Sequence, residues 1–130
     1  MAIKFEFDLA LELRARDIIK TLKMDHIKPE RLACIRSRSS GAKQTIARCY
    51  GLSKIWQKVL NTKAWYIIEM ISEKFDKLSE EDQDKTIIHE LLHIPNSFGG
   101  GFRHHSNWVT ESRINELYKK YIIEKTKEDL

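Results

Sequence analysis

Five residues between positions 89 and 105 have side chains able to hold a metal ion and move a proton. His89 and His93 stand four apart with Glu90 between them, in the run His-Glu-Leu-Leu-His. A four-residue step on a helix returns to the same face. Both imidazoles can therefore share one zinc ion, and the glutamate can reach a water that the ion activates. Pro95, the glycines Gly99, Gly100 and Gly101, and the pair His104-His105 follow.

A catalytic zinc takes three protein ligands and keeps one position open. His89 and His93 supply two, and His104, His105 and Glu111 compete for the third. The loop over 94–103 is long enough to return either later histidine to the metal. Glu111 precedes Ile114 by three residues and Tyr118 by seven, on the inward face of a final helix. Glu90 is the general base, taking a proton as water attacks a peptide carbonyl and passing it to the leaving amine. Tyr118, Tyr121, Arg103 and Asn107 are the candidates for stabilising the oxyanion. His26 stands alone and reads as a surface residue. Cys34 and Cys49 lack the spacing of a zinc pair and read as small core residues in a reducing cytoplasm.

These residues need a helix packed on a sheet. Ser79, with an acid three residues on and more negative charge in the first turn, starts a helix that runs to about His93. At about 100° per residue, Ile87, Ile88, Leu91 and Leu92 fill one arc, and the chemistry lies opposite. Pro95 ends the helix, and the glycines let the chain turn. Upstream, Ile3, Phe5 and Phe7 alternate as a short extended lead-in. Asp8 caps a helix to about Met24, with Leu11, Ala15, Ile18, Ile19 and Leu22 inward. Arg31 to Ser39 and Thr45 to Tyr50 read as two strands paired in a hairpin about Ser39-Ser40-Gly41. Lys54 to Leu60 is a short helix whose apolar face is Ile55, Trp56, Val59 and Leu60. Ala64 to Glu73 is a third strand. A last helix, about Asn107 to Lys125, turns Ile114, Leu117, Tyr118, Tyr121 and Ile122 inward. The fold class is α+β: a minimal zincin-like domain spanning 1–130, with a small three-stranded sheet, an N-terminal helix, the active helix and a C-terminal helix closing the site.

The chain has 130 residues, 42% apolar and 32% charged, which suits one folded domain with a modest core. It has no apolar run long enough to span a membrane, and its start carries acids within the apolar run, unlike a signal peptide. A cytoplasmic location with no membrane partner follows as the expectation; no pattern sets an oligomeric state. The net charge is +4 and is unevenly spread. From Arg31 to Ile68 there is no Asp or Glu, and eight Lys and Arg give a local +8, which leaves −4 for the rest. Such a segment is a candidate DNA contact, with Trp56, Trp65 or Tyr50 able to stack on bases. It can equally be charge scattered over several faces.

The run Ile88-His89-Glu90-Leu91-Leu92-His93-Ile94-Pro95, with Gly99-Gly100-Gly101 and Arg103-His104-His105, resembles the metallopeptidases of archaea and phages, short proteins in the wider SprT-like zincin group. Residues 73–79 and 47–52 resemble that family more loosely. The resemblance implies zinc on His89, His93 and a later histidine, with Glu90 catalytic. His105-Ser106 best matches the family's His-Gly after the loop, so the resemblance favours His105. The substrate is expected to be a protein or peptide, and relatives that cleave DNA-bound proteins suggest DNA-associated proteins in particular, which fits the basic segment. The contrasting reading is a non-catalytic nucleic-acid-binding module with a structural or vestigial zinc site.

Overall fold

The computed structural model describes residues 2–105 and 107–130. The extended lead-in becomes a true strand, β1 (Lys4–Phe7). Asp8 then caps α1 (Leu9–Thr21), its carboxylate accepting from the Leu11 N–H at 2.9 Å. The helix stops short of Met24 because Lys23 turns to a left-handed φ of 54°. Its apolar stripe, Leu11, Ala15, Ile18 and Ile19, is buried as the spacing predicts.

A 3-10 turn at Pro29–Arg31 leads into β2 (Leu32–Arg38). Next come β3 (Ala47–Gly51), α2 (Lys54–Leu60), β4 (Tyr66–Ile71) and a single helical turn, α3 (Ser72–Phe75). The sheet has four strands in the order β1-β2-β4-β3, not three. The expected hairpin does not form. β4 lies between β2 and β3, parallel to the first (Cys34 beside Ile68) and antiparallel to the second (Cys49 beside Ile68). The reason is burial. Tyr66, Ile68, Glu69, Met70 and Ile71 are all buried, and a strand covered on both faces belongs at the centre of a sheet. β2 and β3, with more exposed positions, take its flanks.

The helix that carries His89 and Glu90 is α4 (Glu80–Leu92), capped by Ser79, whose hydroxyl accepts from the Asp82 N–H at 3.2 Å. Ile87, Ile88, Leu91 and Leu92 pack into the core with Tyr66, Ile68, Met70 and Phe75. The last helix, α5, spans Glu111–Glu128 and starts four residues later than its apolar pattern implies, because Thr110 supplies the cap by accepting from the Arg113 N–H. Ile114 and Tyr121 are buried, but Ile122 is exposed. In α2 the predicted apolar face points outward: Ile55, Trp56, Val59 and Leu60 are all exposed. No helix among the described residues is long and apolar enough to cross a membrane.

Three of the eight cations in the 31–68 segment meet acids from outside it. Arg36 binds Asp8 and Asp76, Arg38 lies 3.7 Å from Glu6, and Arg48 lies 3.6 Å from the buried Glu69. Lys43, Lys54, Lys58 and Lys63 are exposed. Cys34 is buried and Cys49 partly so, and burial pushes both thiols up to about 12, consistent with core packing.

Candidate metal centre

The last turn of α4 and the loop after it bring three imidazoles together. The donor atoms of His89, His93 and His105 all lie within 4.8 Å of one another. His89 Nε2 and His105 Nε2 are 3.1 Å apart. Two nitrogens held about 2.1 Å from one tetrahedral ion would stand roughly 3.4 Å apart, so the spacing suits a shared ion. A hydrogen bond between the two rings also accounts for 3.1 Å, but it leaves the approach of the His93 ring, 4.7 Å from that of His105, unexplained. His104 points elsewhere, edge-on to Phe102 at 6.0 Å, and Glu111 lines a groove next to His89 without joining the cluster.

Main-chain geometry decides which nitrogen of His93 faces the cluster. Its Nδ1–H donates to the Arg103 carbonyl at 2.6 Å, and the Arg103 N–H donates back to the His93 carbonyl at 2.8 Å. A carbonyl can only accept, so Nδ1 carries the proton, and in the neutral ring Nε2 keeps its lone pair. Phe102 stacks on the same imidazole with centroids 4.3 Å apart. Burial pushes His93 below its ordinary pKa, with His105 and His104 adding to the effect and the Arg103 carbonyl opposing it. Burial, then the adjacent His93 and His105, push His89 down to about 4. Both rings are neutral near pH 7, the form that binds a metal. Three convergent imidazoles, those of His89 and His93 neutral, are a donor set that fits a divalent ion of the zinc type.

Glu90 is 5% exposed, and its Oε2 lies 3.9 Å from His89 Nε2. Burial raises its carboxyl to about 7. His89 and Glu90 line one end of an open groove of about 650 Å³ between α4, the start of α5 and the segment leading into β3. Among the described residues lining it, none of the four oxyanion candidates is found. Tyr121 instead donates to Asp17 at 2.6 Å, and Arg103 lies over the Trp108 ring at 4.6 Å. His26 is not a free surface residue: its Nε2 sits 3.2 Å from the Ile94 carbonyl, against the end of α4.

The loop that returns His105 is held by residues that the sequence pattern did not single out. The Tyr66 hydroxyl donates to the Gly101 carbonyl at 2.7 Å and accepts from the Gly100 N–H at 2.9 Å. Gln57 Nε2 donates to the carbonyls of Leu52 and Gly99. Gly100 has φ +100°, and a Cβ there would lie 2.2 Å from the Leu52 carbonyl oxygen. Within the glycine run Gly100 is thus a point of close packing against Leu52 and Gln57 as well as part of a turn. The one sequence signal was the glycine run, and its partners Tyr66, Gln57 and Leu52, 34 to 48 residues away, left none.

A family model described as "Putative phage metallopeptidase" matches residues 3–129. The chain belongs to that family, which makes it metallopeptidase-like and implies a metal ion, in keeping with the three clustered imidazoles. No curated protein and no solved structure matches the chain.

Proposed function

We propose that this protein is a zinc-dependent metallopeptidase with His89, His93 and His105 as the metal ligands and Glu90 as the general base. The observation that carries the reading is a buried carboxyl adjoining three convergent imidazoles at the end of a groove. When bound, the ion supplies Lewis acidity towards a peptide carbonyl and water. The chain's own groups do the rest. Arg103 fixes the His93 tautomer through its carbonyl, and the Tyr66 anchor holds the loop bearing His105. Glu90, brought by burial close to neutrality, is matched in pKa to accept a proton from water and return it to the leaving amine. A positive ion nearby would draw that pKa down and favour the base form. We read residues 1–130 as a single minimal zincin-like, SprT-like domain acting on protein or peptide substrates in the cytoplasm.

The test compares wild type with Glu90→Gln, both loaded with zinc, on an unfolded protein substrate. The expected result is equal zinc content and a fall in hydrolysis of about 10²–10⁴-fold in the variant. Equal hydrolysis by both proteins would remove Glu90 from the mechanism.

A second reading has one observation in its favour. The exposed Trp56 and Trp65 lie close in sequence to the exposed Lys54, Lys58 and Lys63 on and after α2. That pattern suits contact with DNA, as a property of the enzyme or of a non-catalytic binding module. Binding of single-stranded DNA that weakens steeply with added salt is the expected signature, and no binding at low salt would dismiss it.

A further inference from the structure

The groove next to the imidazoles has a chemistry of its own. Its apolar wall is Ile46, Ala47, Leu78, Val109 and Ile114. Besides Glu90, two exposed carboxylates line it, from different elements: Asp82 in the first turn of α4 and Glu111 in the first turn of α5. Neither makes an ion pair within 4.0 Å among the described residues. Lys85 is the one lysine or arginine among the described residues of the lining, and its charge is engaged: Nζ binds Glu81 at 3.0 Å and lies over the Tyr118 ring. Acids in first helical turns are favoured by the helix dipole, which accounts for their presence. It does not account for two helices placing an unpaired acid on the same groove, over an apolar wall.

Resting on the peptidase reading above, we propose that this groove receives a long substrate side chain with an aliphatic stem and a terminal cation, lysine or arginine, next to the bond that is cut. The stem lies along Ile46, Leu78, Val109 and Ile114, and the cation is met by Asp82 and Glu111. Length selects for such a residue. Asp82 precedes His89 by seven helical positions, about 10 Å. Four methylenes and an ammonium span roughly 6 Å, enough to carry charge most of that way from a backbone held near Glu90. Short cationic or purely polar side chains would leave the apolar wall wet. A leucine or phenylalanine would cover the wall but leave both carboxylates without a partner.

The test uses the full chain as the zinc-loaded Glu90→Gln protein, with capped tetrapeptides Ala-Ala-X-Ala in which X is lysine, arginine, norleucine or glutamate. Affinity is read from amide shifts of groove residues. Lysine and arginine are expected to bind about tenfold tighter than norleucine, and glutamate more weakly still. Glu111→Gln should reduce the lysine preference about threefold and Glu111→Lys should reverse the order of lysine and glutamate, with circular dichroism reporting that α5 survives. Asp82→Asn gives an independent second variant if either fails to fold. Lysine and norleucine binding within twofold of each other, or no shifts at the groove with any peptide, would overturn the proposal. Cleavage of the same peptides by wild type separates the two ideas. Cleavage with no preference sinks the groove assignment alone. Selective lysine binding without cleavage sinks the peptidase reading and upholds the groove.

Discussion

The His93 imidazole donates its Nδ1–H to the main-chain carbonyl of Arg103 at 2.6 Å, ten residues along the chain. This bond ties the end of α4 to the returning loop. It orients one imidazole of the cluster while the same loop delivers another. Ring orientation and loop closure are therefore one structural event, and both depend on contacts made by Tyr66 and Gln57 on the far side of the loop.

Metal content should divide the candidate ligands. His89→Ala, His93→Ala and His105→Ala are each expected to weaken zinc binding by more than the about 10–100-fold that loss of a supporting group costs, while His104→Ala and Glu111→Gln keep one zinc per chain. Mass spectrometry on protein purified without chelator reads this directly. Loss of zinc in His104→Ala with retention in His105→Ala would reverse the assignment.

Tyr66→Phe removes a hydroxyl that bridges Gly100 and Gly101 and leaves the aromatic packing in place. It should cost about 1–2 kcal/mol in urea denaturation and weaken zinc binding measurably, although Tyr66 is not a ligand. An unchanged zinc affinity would mean that the loop is held well enough without this anchor.

Gly100→Ala should be far more damaging than an ordinary loop substitution. The added Cβ meets the Leu52 carbonyl oxygen at 2.2 Å on a backbone of φ +100°. A loss of about 2 kcal/mol or more is expected, whereas Gly101→Ala, whose Cβ meets nothing closer than 3.9 Å, should cost less. Thermal melts of the two variants side by side make the comparison.

Acid stability should depend on Asp8. Burial alone raises its carboxyl, but the Leu11 N–H and the Arg36 guanidinium outweigh this and hold it below its ordinary 3.8. A depressed carboxyl stabilises the folded chain above its unfolded pKa, and the contribution is lost as pH falls through the lower folded value. Asp8→Asn keeps a good helix cap and removes the charge. The stability gap between wild type and variant should therefore be full above about pH 5 and shrink as pH falls below about 3.8. Urea denaturation across that range measures it, and a gap independent of pH would rule out the ionised carboxylate as its source.

What the sequence determined was local. The four-residue step from His89 to His93, the Ser79 and Asp8 caps and the apolar stripes of α1 and α4 depend on neighbours within a turn or two, and each is found where its spacing puts it. Alternation marked strands but not their partners. The central place of β4 follows from burying Ile68 and Met70 between neighbours distant in sequence, so the hairpin drawn from adjacency did not form. The outward face of α2 was equally hidden, since a helical apolar stripe does not say whether the core has room for it. Residue types and spacing left His104 and His105 open, a family resemblance favoured His105, and the tertiary structure brings His105 into the cluster. Adjacent residues in a loop point apart, and which one turns inward is decided by Tyr66, Gln57 and Arg103 anchoring the loop against the sheet and the end of α4.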